Sequence, residues 1–163
     1  MRIFTDGASS RDGRGGWAWV LESDHTYHAS GWDFPTTNQR MEITGAFRAV
    51  QAHPDETLVI VSDSKYVVDC FNQRWYFKWR KNGWITSTKK EVANQDLWRP
   101  FTELVDIHPA VSFQWVKGHS GHPANEMADF LAVQAKEAAS TDVEFPEVDR
   151  MAGYTPPTLP GLW

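Results

Sequence analysis

The chain has 163 residues, 41% of them hydrophobic, a formal net charge of −5 and a single cysteine. That size and composition suit one globular domain with a real core, and they require no second domain. Cys70 alone excludes an internal disulfide and has no His and acid beside it as a thiol nucleophile would need, so it reads as a small buried apolar side chain. No apolar run approaches membrane-spanning length, and the N-terminus enters a strand-like Arg2-Ile3-Phe4-Thr5 without a signal peptide's basic and apolar regions, so a cytoplasmic monomer with no membrane contact is expected.

In chain order, strand-like segments fall near 2–6, 17–21 and 26–32, separated by turn-rich stretches holding Asp12-Gly13, Gly15-Gly16 and Asp24. This predicts an antiparallel meander. A helix follows over about 38–52, its apolar stripe formed by Ile43, Ala46, Phe47 and Val50. The uninterrupted Leu58-Val59-Ile60-Val61 predicts a strand covered on both faces. Helical patterns resume at 65–72, 74–81 and 94–105; Val111, Phe113 and Trp115 alternate as a strand; an alanine-rich helix over 124–138 follows Pro123. The order β-β-β-α-β-α-α-α-β-α predicts a mixed α/β fold whose five-stranded sheet, a meander plus parallel strands, is flanked by helices. From residue 140 the periodicity ends in four acids, one Arg and four prolines, which predicts an extended or partly disordered tail over 140–163 beside a domain over 1–139, with no partner indicated for it.

Charge is segregated. Between Cys70 and Lys90 lie Arg74, Lys78, Arg80, Lys81, Lys89 and Lys90 with no acid, which leaves ten basic residues against all 21 acids elsewhere. A negative total argues against a nucleic-acid ligand, but this segment is a candidate phosphate-binding surface. Asp6 ends the first strand and Asp63 the most buried one, positions at which α/β sheets place their sites. Glu42 and Asp129 border the apolar stripes of two helices. Each acid taken singly also reads as a turn, cap or solvated helix residue. Taken together, four converging carboxylates repel one another and are costly to desolvate unless a cation compensates. An all-oxygen set with no Cys or His at zinc spacing favours Mg²⁺, with Mn²⁺ as a substitute.

Thr5-Asp6-Gly7, Thr37-Asn38-Gln39-Arg40-Met41-Glu42, Ser62-Asp63-Ser64-Lys65-Tyr66-Val67 and the run from Val116-Lys117-Gly118-His119-Ser120-Gly121-His122-Pro123 to Ala128-Asp129 resemble, in order, the signature segments of type 1 ribonuclease H. The resemblance covers roughly 2–138. It implies the ribonuclease H-like fold and an endonuclease that hydrolyses the RNA strand of RNA–DNA hybrids, leaving 5′-phosphate and 3′-hydroxyl ends, with roles in RNA primer or R-loop removal. It implies that Asp6, Glu42, Asp63 and Asp129 bind two Mg²⁺ ions with the substrate, one serving the attacking water and the other the leaving oxygen. His119 is implied in proton transfer or product departure; the alternative is a structural loop hydrogen bond. His122 reads equally as helix entry beside Pro123.

By the same resemblance Asn38 and Gln39 contact the minor groove, Thr37 and Asn94 grip a DNA phosphate, and the basic segment forms a protruding handle. There Trp75, Tyr76, Trp79 and Trp84 interleave with Lys78, Arg80, Lys81, Lys89 and Lys90 to make a DNA-strand channel. Core packing is the other reading of these tryptophans and is expected for Trp79 and Trp98. The sequence departs from the family pattern in two places: Ala8-Ser9-Ser10-Arg11-Asp12-Gly13 lacks an RNA-contacting Asn-Pro-Gly turn, and Pro35 stands where some relatives carry a phosphate-pocket Arg. Two other classes share the expectation of this fold: a DNA-strand transferase or resolvase, and a non-catalytic hybrid-binding module.

Overall fold

The computed structural model describes residues 1–140, so all but the first residue of the expected tail lies outside the described residues. Strands β1 (Arg2–Ser9), β2 (Gly15–Leu21) and β3 (Asp24–Asp33) form the antiparallel meander. After α1 (Asn38–Ala52), β4 (Leu58–Ser62) pairs in parallel with β1. Helices α2 (Lys65–Asn72), α3 (Trp75–Lys81) and α4 (Gln95–Ile107) lead to β5 (Val111–Trp115), parallel to β4, and α5 (Pro123–Ala138) closes the domain. Sheet order is β3-β2-β1-β4-β5, so the apolar β4 run lies between two parallel neighbours as its composition requires.

The two faces of the sheet are covered unequally. Successive strand residues point to opposite sides, and two adjacent glycines of β2 show what lies there. A Cβ on Gly15 would meet Met41 of α1 at 2.7 Å, whereas one on Gly16 would strike the Ala132 carbonyl of α5. Under α1 and α4 lies the larger core, with Ile3, Trp17, Trp19, Ile60, Trp98 and Phe101. Under α5 lies a thinner one of Phe4, Val20, Val61, Ala124 and Ala128, where alanines let the helix approach closely. Cys70 is buried, and burial pushes its thiol up to about 12, so it is inert packing as its isolation in the sequence implied.

Three details correct the sequence reading. The first strand runs on past Asp6 to Ser9, which places Asp6 inside a strand and not at its end. The helical stretch expected from residue 74 begins at Trp75, because Arg74 takes a left-handed conformation (φ 55°) that breaks α2 from α3. Likewise Asn94 (φ 60°) precedes α4 instead of opening it.

Candidate active site

Asp6 and Glu42 are brought together by a glycine. A Cβ on Gly7 would collide with the Glu42 backbone nitrogen, so only glycine lets α1 press against β1 at this point. The Gly7 N–H then donates to Asp6 Oδ1 (2.8 Å) and to Glu42 Oε1 (3.1 Å). Asp6 is 5% exposed and Glu42 6%. Asp63 follows β4, where the chain turns into α2 capped by the Ser64 side chain, which accepts from the Val67 N–H (3.3 Å). Ligand oxygens of Asp6, Glu42 and Asp63 all lie within 4.8 Å of one another. Asp129, half-buried on α5, stands outside that tight trio but lines the same cavity of about 300 Å³ with the three acids, Asn38 and His119. The sequence-predicted carboxylates therefore share one pocket, three of them closely.

Burial is the largest influence on these groups. It pushes Asp6 up to about 7, with Asp63 and Asp129 adding like-charge repulsion while Glu42 and the Gly7 N–H partly offset it. Glu42 is raised well above the carboxylate range, first by burial and then by the charge of Asp6. Asp63 is also raised by burial, against the opposing pull of His119 and a hydrogen bond from Asn125. Glu42 Oε2 is buried with no hydrogen-bond partner. An orphaned carboxylate oxygen among two other carboxylates fits a hard divalent cation, which would satisfy that oxygen and cancel the repulsion together.

Asn125 lies inside the last signature segment, though its sequence context did not mark it as a candidate. It is 2% exposed, favours the charged form of the Asp63 carboxylate and precedes Asp129 by four residues, so both side chains leave the same face of α5. The loop before α5 reaches Asp63 from the other side: a Cβ on Gly118 would lie 2.7 Å from Asp63 Oδ2. His119, exposed and left-handed (φ 53°), opens onto the cavity. His122 packs as helix entry, stacked on Phe4 with centroids 4.4 Å apart.

Thr37, Asn38 and Gln39 are exposed at the start of α1, where Thr37 Oγ1 also caps the helix by accepting from the Arg40 N–H (3.2 Å). Asn94 sits across from them, donating to the Tyr66 hydroxyl (3.3 Å) and accepting from Arg40 (3.4 Å). Residues 10–14 fold onto themselves through Asp12, which accepts from Ser10 Oγ (2.6 Å) and the Arg14 N–H (3.1 Å). On the handle Lys78, Lys81, Lys89 and Lys90 are exposed and Trp75 is half-buried. Three handle residues depart from the expectation, the first being Tyr76, which is buried against Phe71 as core and is not a channel wall. Trp84 is only 8% exposed, because it packs on Trp79 and lies beneath the Arg99 guanidinium, so it is core and not an open channel wall. Arg80 pairs with Asp106 (2.7 Å) and is not a free cation. Trp98 is fully buried and Trp79 half-buried against the core, as expected of both.

A family model described as RNase H matches residues 1–137. Curated relatives named ribonuclease H include one from Novosphingobium aromaticivorans, 44% identical over 142 residues spanning 85% of this chain and 98% of the relative. Another, from Rhizobium etli, is 46% identical over 138 residues, 83% of this chain and 90% of the relative. Among solved structures, LC9-RNase H1, described as a type 1 RNase H with the type 2 active-site motif, superposes with a TM-score of 0.71 at 28% identity, covering 85% of this chain and 72% of that one. A foamy viral protease-reverse transcriptase solved with dsDNA shares the fold at a TM-score of 0.73 and 23% identity, covering 84% of this chain and 94% of that one.

Proposed function

Because the chain belongs to the ribonuclease H family, with the type 1 motifs in order, we propose that it is an endonuclease hydrolysing the RNA strand of RNA–DNA hybrids to 5′-phosphate and 3′-hydroxyl ends. The observation that carries this reading is the shared pocket of Asp6, Glu42, Asp63 and Asp129 with its orphaned Glu42 oxygen. These four residues would hold two Mg²⁺ ions, for which Mn²⁺ can substitute. When bound, such ions activate water and offset charge accumulating on the attacked phosphate.

The chain's own groups supply the rest. The Gly7 N–H fixes Asp6 and Glu42 in one orientation, and Asn125 favours the charged form of Asp63, so little reorganisation is needed as the phosphate arrives. His119, on an exposed loop lining the same cavity, would assist proton transfer or product departure. Asn38 and Gln39, each offering donor and acceptor, read 2′-hydroxyls and base edges from the minor groove. Thr37 and Asn94 hold a DNA phosphate, and Trp75, Lys78, Lys81, Lys89 and Lys90 guide the DNA strand. Arg80 and Trp84, expected among these contacts, act instead by holding the handle's shape. A cytoplasmic monomer acting on RNA primers and R-loops completes the reading.

Matched hybrid, double-stranded DNA and double-stranded RNA, each labelled and incubated with Mg²⁺, test it. Cleavage confined to the RNA strand of the hybrid is expected. Cutting of duplex DNA without hybrid cleavage would overturn the proposal in favour of strand transfer or resolution.

A further inference from the structure

Trp115, the last residue of β5, keeps 42% of its surface exposed. Its indole N–H donates to the Asp63 carbonyl oxygen (3.0 Å), so the ring is pinned to the chain segment that carries a pocket carboxylate. Over the ring lies the Lys65 ammonium, 4.8 Å from its centroid. Lys65 opens α2 two residues after Asp63, is exposed, and pairs with no carboxylate among the described residues although four line the adjacent cavity. An aromatic face restrains a lysine without neutralising it, since the ring occupies one side of the ammonium and leaves N–H donors free. Lys117, two residues beyond Trp115, is exposed as well.

We infer that Lys65, seated on Trp115, forms a phosphodiester-binding subsite at the Asp63 side of the pocket, separate from the basic segment of residues 74–90. The inference rests on the nuclease reading and adds to it a contact within a few nucleotides of the cut. A polyanion approaching four carboxylates needs fixed positive charge near the phosphates that flank the reacting one. A lysine held by a ring provides that charge with less conformational freedom to lose than an unrestrained one. The phosphodiester comes from the RNA strand or from the DNA strand.

The test is binding of matched hybrid across a salt series in a hydrolysis-silent Asp6→Asn background. Lys65→Gln weakens binding by roughly three- to tenfold and lowers the salt slope by about one. Trp115→Leu acts in the same direction, and adding it to Lys65→Gln produces little further loss because both remove one contact. Lys65→Arg restores the slope. Single methylphosphonates placed along the RNA strand, then along the DNA strand, locate one phosphate whose neutralisation costs the Lys65-intact protein affinity but costs the Lys65→Gln protein none. The strand carrying it identifies the source. An unchanged slope, or penalties that add at every phosphate, overturns the subsite while hybrid binding itself leaves the nuclease reading standing. Absence of hybrid binding by the Lys65-intact protein removes that reading and the subsite with it.

Discussion

Replacing Asp6 by Asn removes one charge from the pocket while keeping the shape and the oxygen that accepts from the Gly7 N–H. Burial holds the folded-state carboxyl at about 7 against 3.8 for an unperturbed aspartate. Its folded-state value is raised, so its contribution to stability is full below about pH 4 and is lost as pH climbs through about 7. At about 1.4 kcal/mol per pH unit, ionising Asp6 without a cation costs the fold on the order of 4 kcal/mol at about pH 8. Burying the Asn amide in its place offsets part of that gain, so the variant recovers roughly half, and at about 2–4 °C per kcal/mol its melting temperature rises by roughly 4–8 °C. Calorimetry in a chelator at about pH 5 and about pH 8 measures the difference. The variant is expected to exceed wild type at the higher pH and to approach it at the lower, and saturating Mg²⁺ should stabilise wild type more than the variant. A variant no more stable than wild type at about pH 8 without metal would refute the electrostatic reasoning.

Gly118→Ala places a methyl group 2.7 Å from Asp63 Oδ2; hydrolysis should fall by more than about tenfold with melting shifted by only a few degrees, as steady-state kinetics beside calorimetry would show. Asp63→Asn should abolish turnover while hybrid binding and folding persist, read by cleavage and fluorescence anisotropy on one preparation. Lys89 and Lys90 changed together to Ala should weaken hybrid binding and reduce its salt slope by about one to two, with kcat less affected. Trp98→Ala opens a void against Phe101 and Tyr66 and should cost about 3–5 kcal/mol in denaturant unfolding.

Local patterns carried the architecture. The β-branched run Leu58-Val59-Ile60-Val61 reads as a strand covered on both faces, and it became β4 between β1 and β5. Pro123 at the first turn and the alanines behind it marked α5, whose small side chains let it settle on the thin core beside Phe4. The pocket acids were legible because Asp6, Glu42, Asp63 and Asp129 recur within specific neighbouring residues, not because of spacing alone. Less legible were features decided by contacts distant in sequence. Trp84 looked like a channel residue by its basic neighbours, yet the turn after α3 folds it under Arg99 on α4. Arg80 looked free until Asp106, on another helix, met it. The influence of Asn125 on Asp63 links α5 to the end of β4, and periodicity within either element contains no trace of it. Lys65 and Trp115 likewise meet only because β4 and β5 pair in parallel and end at the same level, with Ser62 opposite Trp115.

The most direct test of the central claim is a Mg²⁺ titration of RNA-strand cleavage on a labelled hybrid, run side by side with wild type and Glu42→Gln. Activity of wild type should be nil in chelator, rise with Mg²⁺ to saturation and respond likewise to Mn²⁺, whereas Glu42→Gln should need far more metal or remain inactive. Hydrolysis by wild type in chelator, or a Glu42→Gln curve overlying that of wild type, would contradict the claim that these carboxylates act by gathering divalent cations.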